Sequence, residues 1–155
     1  MYKNFDLSLA FTGTFGNDMW NEYLFKGFAT STDNTPVEAY VNAWRREGDQ
    51  TTYPRISQSD LNNNARSSSW YVEDGSYIRL KNIQLGYNLP KSFVSKSKLF
   101  SSCRFYLGGQ NLLTFTKYKG MDPEVGANDD VTTLGIESLR YPSSKIMTVG
   151  VNVTF

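Results

Sequence analysis

Between residues 147 and 155, every second side chain is apolar, and the side chains between them are small or polar. An extended strand is the only regular structure that places alternate residues on one face, because successive side chains of a strand point to opposite faces. The alternation therefore predicts a strand from about 146 to 155 with one apolar face, formed by Met147, Val149, Val151, Val153 and Phe155.

Three further segments follow the same two-residue period, at about 2–15, 77–89 and 103–115. In the segment 77–89 the apolar residues move from even to odd positions after Leu80, which predicts a β-bulge near Lys81-Asn82 that realigns the two halves. Each predicted strand has roughly 10 to 14 residues, and a tilted membrane-spanning strand needs about 9–11. The four segments predict an all-β chain with antiparallel strands.

The connections between these strands are unequal in length. Long segments, 16–76 and 116–145, follow the first and third strands, whereas a short turn, 90–102, joins the second to the third. Outer-membrane barrels alternate short periplasmic turns with long extracellular loops. The pattern is therefore typical of a segment of a transmembrane β-barrel whose two long loops lie outside the cell.

The first long loop contains two predicted helices. Thr35 to Glu38 has the pattern of a capping box with proline at the first helical position, and it predicts a helix over about 36–46. A second helix is predicted around 19–26. The apolar stripe of the helix over 36–46 has helical spacing and consists of Val37, Tyr40, Val41 and Trp44.

Composition limits the function more than the fold. The chain contains no histidine and one cysteine, Cys103, so an internal disulfide and the commonest general base are both excluded. The net charge of +1 gives no reason to expect a nucleic-acid partner. No local pattern selects an active site, and we expect neither an enzyme nor a bound cofactor or metal.

Alternation does not by itself require a membrane, since half-buried strands of soluble sandwiches alternate as well. The mean hydropathy is −0.45, but lipid-facing and lumen-facing residues of a barrel average out in such a measure. A soluble β-rich carbohydrate-binding module therefore stays open as the alternative. An apolar face on the outside of the sheet favours the barrel, and the same face buried in a core favours the module.

Three strings along the chain resemble a known family. The first runs from Ser76 to Pro90 (SYIRLKNIQLGYNLP), the second from Gly109 to Gly120 (GQNLLTFTKYKG, followed by DPE), and the third from Tyr141 to the closing VGVNVTF. Together they resemble the SusC/RagA family of TonB-dependent outer-membrane transporters. The residues that match the family's motifs are Arg79, Leu80, Lys81, Asn82, Gly86, Tyr87, Pro90, Gln110, Asn111, Gly120, Asp122, Pro123 and Glu124.

The resemblance implies the last four strands of a barrel of about 22 strands in the cell outer membrane. It implies that the plug domain and the signal peptide are absent from this segment. It also implies import of bulky nutrients, most often glycans, together with a SusD-like surface lipoprotein and the TonB complex. Lipid of the outer membrane is then the surroundings of the strands.

Several residues are candidates for a direct role. Phe155, after its alternating strand, resembles the signal read by the barrel-assembly machinery. The indole faces of Trp20 and Trp70 suit sugar rings, although packing within the loop is the more common role of such residues. A positive charge facing lipid at mid-depth costs about 2–4 kcal/mol, so we expect Arg79 and Lys81 to face the lumen, the plug or the wet rim near the outer end of the second strand. The same argument applies to Arg104 near the periplasmic end, and a salt bridge to the plug is the preferred interpretation.

An oxygen-rich segment follows the second string. Asp122 and Glu124, together with 128–130, offer carboxylate and amide oxygens that suit calcium, but their spacing matches no known calcium loop. We therefore interpret Asp122-Pro123-Glu124 as a turn.

Overall fold

The computed structural model describes residues 3–29, 35–57, 63–64, 66–97, 99–124, 134–137, 139 and 141–155. In chain order the elements are β1 (Phe5–Thr14), β2 (Asp18–Trp20), α1 (Glu22–Ala29), α2 (Val37–Asn42), a turn of 3-10 helix (Ser69–Tyr71), β3 (Val72–Asp74), β4 (Tyr77–Asn88), α3 (Lys91–Ser97), β5 (Ser102–Thr116) and β6 (Ile146–Thr154). The chain divides into two compact units. One contains β1, Tyr77–Phe115 and Ser143–Phe155, and the other contains Phe15–Ser76 and Thr116–Pro142.

The first unit, which we call the sheet unit, is one four-stranded sheet in the order β1-β4-β5-β6. β1 pairs antiparallel with β4, and β5 pairs antiparallel with β6. These strands lie in the four segments whose alternation predicts them, so the predicted antiparallel β-structure is confirmed. They contain 10, 12, 15 and 9 residues, which meets the length of about 9–11 residues that a tilted strand needs to cross a bilayer.

The predicted bulge lies at Lys81. Ala10 pairs with Asn82 and Phe11 pairs with Leu80, so Lys81 is the extra residue of β4. An extra residue shifts the two-residue period by one position. The bulge therefore keeps the apolar residues on both sides of it on the same face of the sheet.

The short turn between β4 and β5 contains a helix that alternation could not predict. The carbonyl oxygen of Pro90 accepts hydrogen bonds from the backbone N–H groups of Phe93 (2.9 Å) and Val94 (3.2 Å), and these bonds form the first turn of α3. Proline suits this position because its fixed φ matches a helix start and its missing N–H needs no partner there. The backbone N–H of Ser101 donates to the carbonyl of Thr154 (2.6 Å), which ties the end of the turn to β6.

The second unit, which we call the loop unit, has its own small core. The buried side chains of Leu24, Ala39 and Tyr71 form the centre of this core. β2 and β3 pair antiparallel beside it. Residues 134–137 join the edge of β2, since Trp20 N–H donates to the Gly135 carbonyl (2.7 Å) and Glu137 N–H donates to the Trp20 carbonyl (3.1 Å). The two long connections are therefore parts of one folded unit.

Helix α1 begins three residues later than the predicted span of 19–26. Met19 and Trp20 belong to β2, and the side-chain oxygen of Asn21 accepts a hydrogen bond from the backbone N–H of Leu24 (2.8 Å). Asn21 is therefore the N-cap of α1. Its side chain is buried, so the loss of this hydrogen bond would leave a buried backbone N–H without its partner.

Helix α2 differs from its prediction in length and in its buried face. It ends at Asn42, and no side-chain hydrogen bond caps it at Pro36, so the capping box is wrong. The predicted apolar stripe is largely exposed, with Val37 at 77% and Val41 at 64%, whereas Ala39 is fully buried. Ala39 packs with Leu24 and Tyr71, and Pro36, just before the helix, lies where a β-carbon at Gly27 of α1 would be. Small residues, rather than large apolar ones, are what fit at such a contact.

None of the helices in the described part of the chain is both long enough and apolar enough to cross a membrane.

Candidate functional site

The sheet unit has an apolar face that is exposed. Residues directly opposite each other on paired strands share a face, so the pairs Leu7–Leu85 and Leu107–Val149 each form part of one. Leu7 is 61% exposed and Val149 is 78% exposed. A single shallow hollow of about 210 Å³ is lined from all four strands, by Phe5, Leu85, Tyr87, Phe105, Leu107 and Val149. The apolar residues of the four strands therefore form one continuous exposed face.

The opposite face holds an ion pair that spans a strand. Arg104 on β5 donates to the Asp6 carboxylate on β1, with 2.6 Å between Nη2 and Oδ2, although β4 lies between these strands. The pair passes over Gly86, where a β-carbon would overlap both charged groups. Asn88 adds a hydrogen bond to the same carboxylate (3.1 Å). Gly86, a family-motif residue, therefore leaves the space in which the pair forms.

Two arginines of the strands have partners inside the sheet unit. Arg104 pairs with Asp6, and the buried Arg79 donates from Nε to the Thr114 hydroxyl (2.8 Å). The Arg79 guanidinium also lies 5.8 Å from the centre of the Tyr77 ring. Arg104 thus has a partner carboxylate two strands away in its own sheet, and a contact with the plug stays a prediction. Lys81 occupies the bulge and is exposed.

Other family-motif residues fix the geometry of the strands. Tyr87 packs against Phe5 across β1 and β4, with 4.6 Å between the ring centres. Asn111 has a positive φ of 53° and donates from Nδ2 to the Ser144 carbonyl (3.1 Å), directly after Gln110, which pairs with Ile146. Asparagine tolerates this backbone conformation better than most residues. The motif therefore contains the residue of β5 with a positive φ, next to the position where β6 begins to pair.

Both predicted sugar-contacting tryptophans take part in the packing of the loop unit. Trp20 packs against Phe25 and Tyr71, with ring centres 5.2 and 5.4 Å apart, and its Nε1–H donates to Glu22 (2.8 Å). Trp70 packs edge-on against Tyr71 (4.9 Å) and Tyr53 (5.5 Å). Each indole remains partly exposed. Packing is thus established for both, and contact with a substrate stays a prediction.

A pocket of about 250 Å³, lined by both polar and apolar side chains, lies beside this aromatic cluster. At its edge Glu38 accepts hydrogen bonds from the Tyr53 hydroxyl (2.7 Å) and from Lys119 Nζ (2.8 Å). The hydrogen bond from Lys119 holds the pKa of Glu38 below its usual value, and the same bond raises the pKa of Lys119. The pocket therefore carries a fixed charged pair next to an aromatic ring. Sequence spacing could not find it, since Glu38 and Lys119 lie 81 residues apart.

The second motif string lies around a buried carboxylate that the sequence did not single out. Glu137, only 1% exposed, accepts hydrogen bonds from the Tyr118 hydroxyl (2.7 Å) and from the backbone N–H of Met121 (2.7 Å). A β-carbon at Gly120 would overlap the Tyr118 ring, which explains glycine there. Asp122 Oδ1 accepts the backbone N–H of Glu124 (3.0 Å) across Pro123, so the predicted turn is confirmed. The segment 118–124 is therefore locked to residues 134–137 by Glu137.

Removing the Tyr118 hydroxyl should weaken the contact between the segment 118–124 and Glu137. In a Tyr118→Phe variant one oxygen of the buried Glu137 loses its donor, and an unsatisfied buried group of this kind costs about 1–3 kcal/mol. We expect faster hydrogen exchange of the Met121 amide. Tyr53→Phe is the control, because it removes a tyrosine hydroxyl from a more exposed site. It should leave the hydrogen exchange of the Met121 amide unchanged. Equal exchange at Met121 in the Tyr118→Phe variant and the wild type would contradict the role of this hydrogen bond.

The stabilisation that comes from the hydrogen bond between Tyr118 and Glu137 should depend on pH. Burial, followed by the hydrogen bond to Glu137, raises the pKa of Tyr118 above its ordinary value of 10.0. The folded state therefore holds this proton more tightly than the unfolded chain does. The resulting stabilisation is complete below pH 10 and declines as the pH rises above it.

Among the residues that the structure describes, no three histidine, cysteine, aspartate or glutamate side chains come together in a way that could hold a metal ion. Of the oxygen-rich segment considered for calcium, 128–130 lie outside the described residues.

No protein-family model matches the chain. Along almost its whole length, however, it is similar to proteins of one kind, TonB-dependent receptors. The chain is 41% identical over 162 residues to TonB-dependent receptor P3 of Formosa agariphila, covering 99% of the chain and 15% of that receptor. It is 33% identical to TonB-dependent receptor P39 of the same organism, again over 99% of the chain and 15% of the receptor. It is 26% identical to TonB-dependent receptor SusC of Bacteroides thetaiotaomicron, over 99% of the chain and 14% of that protein. The chain thus spans a small part of the length of the curated relatives it matches.

Solved structures give the same result. The RagAB peptide transporter is 30% identical, with a TM-score of 0.77 over 100% of this chain and 16% of that one. The RagAB peptide importer in its closed-closed state is also 30% identical, with a TM-score of 0.73 over 99% of this chain and 16% of that one. These relatives are receptors and transporters, so the expectation that the chain is no enzyme is confirmed. The chain belongs to the SusC/RagA family of TonB-dependent receptors.

Proposed function

We propose that this chain forms the last four strands of the wall of an outer-membrane TonB-dependent importer, a barrel of about 22 strands. The observation that carries the proposal is the exposed apolar face of the sheet unit, opposite a face with an ion pair. Such a sheet suits a wall between lipid and a wet lumen. The lengths of the strands and the family of the chain support the same conclusion.

The alternative, a soluble carbohydrate-binding module, requires the opposite arrangement. A soluble sandwich buries the apolar face of each sheet against a second sheet. Here Leu7 and Val149 are each more than half exposed. The exposure therefore favours the wall.

Within the complete importer the two long connections face outward and take part in handling a bulky nutrient. We propose a glycan as that nutrient, delivered with a SusD-like surface lipoprotein, and import driven by the TonB complex through regions outside this segment. The similarity to SusC supports this class of importer. The RagAB relatives are described as peptide importers, which makes a peptide the second candidate substrate. Trp20 and Trp70 are the proposed sugar contacts, and Phe155 is the proposed signal for the barrel-assembly machinery.

Fractionation of cells that contain the complete receptor tests its location, and deletion of its gene tests the substrate class. We expect the receptor to fractionate with the outer membrane and to require detergent for extraction. We expect the deletion strain to stop growing on an oligosaccharide that supports the parent strain, while growth on its monosaccharide continues. Loss of growth on peptides alone would replace the glycan by a peptide. A receptor that is soluble without detergent would overturn the wall itself.

A further inference from the structure

The short turn between β4 and β5 carries a cleft that neither the wall nor the loop unit explains. The cleft has a volume of about 500 Å³, which lies in the range of about 300–1,000 Å³ typical of ligand pockets. Three residues of one α3 face, Lys91, Val94 and Ser95, form one side of it. Leu99, Phe100 and Phe155 form the rest of its apolar lining.

Hydrogen bonds hold the cleft at the end of the sheet. The backbone N–H of Leu89 donates to the Cys103 carbonyl (2.9 Å), and the Ser101 hydroxyl donates to the Thr154 carbonyl (3.0 Å). The buried Val94 fixes α3 in place. The contacting rings of Phe5 and Tyr87 lie at the same end of the apolar face, because these residues pair at the start of β1 and the end of β4. In the proposed wall this end, with its short turn, lies at the periplasmic surface of the bilayer.

The lining of the cleft has a positively charged part and an apolar part. The turn 90–102 contains Lys91, Lys96 and a third lysine at 98 and has no acidic residue. Lys91 is exposed, so its ammonium is available to an anion. Leu99 is 74% exposed and Phe155 is 91% exposed, which is unfavourable in water. A ligand that satisfies both halves has an anionic head for the lysine and an apolar tail for Leu99 and Phe155.

We propose that this cleft binds an anionic phospholipid of the periplasmic leaflet, with its phosphate on Lys91 and an acyl chain along Leu99, Phe100 and Phe155. The proposal rests on the proposed function, since that function places the cleft at the membrane surface. Lysine suits this position because its aliphatic stem packs on apolar surface while its ammonium reaches the headgroup. A zwitterionic phospholipid offers the same tail without the net charge, so the cleft should prefer the anionic lipid.

Lipid retention by the complete receptor tests the cleft. The receptor is purified in detergent, mixed with equal amounts of phosphatidylglycerol and phosphatidylethanolamine of identical acyl chains, and analysed by native mass spectrometry. We expect preferential retention of phosphatidylglycerol and an about fivefold loss of that preference in Lys91→Gln, the usual effect of one lysine near an anionic surface. Lys145→Gln removes the same charge just before β6, at the other end of the sheet, and should keep the preference.

Two further measurements make the result specific. Leu99→Ser should reduce retention of both lipids while leaving the receptor folded, as judged by its heat-dependent migration in gels. Free glycerol phosphate should not displace the lipid, because it lacks the tail. Equal retention of the two lipids by the wild type, an equal effect of Lys145→Gln, or displacement by glycerol phosphate would overturn the proposal. If the receptor requires detergent and migrates as a folded barrel in those cases, the proposed function stands and this inference alone fails.

Discussion

Arginine in place of Leu9 will keep the complete receptor out of the outer membrane, whereas arginine in place of the neighbouring Ser8 will not. Leu9 lies at the middle of β1, on the exposed apolar face, opposite Ile83. If that face contacts lipid, a guanidinium at mid-depth costs about 2–4 kcal/mol. This cost falls on the membrane-inserted state and not on the unfolded chain in the periplasm, so insertion suffers directly.

Ser8 is a close control because it is adjacent in the chain and is also exposed. It pairs with Gln84 and points to the opposite face of the sheet. An arginine there meets the wet side of the wall. The two variants are compared by the amount of receptor in the outer-membrane fraction and by heat-dependent migration in gels. Equal amounts of both variants at the wild-type level would show that the apolar face does not contact lipid.

The sheet was predictable because its information is local. Strict alternation in 147–155 and in β1 determines both the strand and its apolar face, and the change of parity after Leu80 places the bulge. The helix over Val37–Asn42 was predicted correctly as a helix, but the wrong face of it was predicted to be buried. The prediction relied on the large apolar residues, whereas the buried residue of the helix is Ala39, which packs with Leu24 and Tyr71.

The polar parts of the site could not be predicted because their partners are far apart in sequence. Asp6 and Arg104 are 98 residues apart, and they meet only because β4 places a glycine between them. Glu137 carries no local pattern that distinguishes it from an exposed loop acid. Its role depends on Tyr118 and Met121, which lie 19 and 16 residues before it in the same long connection and reach it only when that connection folds back on itself. The family strings did identify Gly86 and Gly120, without giving the reason for either.

Alanine in place of Gly120 tests that reason. The added methyl group would overlap the Tyr118 ring, which is buried and fixed by its hydrogen bond to Glu137. Forcing extra volume into a packed site typically costs about 1–3 kcal/mol. We expect the free energy of local opening of the segment 118–124 to fall by this amount, measured by hydrogen exchange of the complete receptor.

Gly108→Ala is the matched control, because a β-carbon at Gly108 makes ordinary contacts, the nearest at 3.7 Å from Thr148 Cβ. It should leave the opening of 118–124 unchanged. A double-mutant cycle then assigns the effect to the ring: with Tyr118→Leu already present, Gly120→Ala should cost clearly less, since the shorter side chain leaves room for the methyl group. If Gly120→Ala costs the same in both backgrounds, the glycine serves the backbone of the turn and not the approach of Tyr118. If it costs less beside leucine, the glycine is the residue that allows Tyr118 to reach Glu137 and so to hold 118–124 against 134–137 within the second long connection.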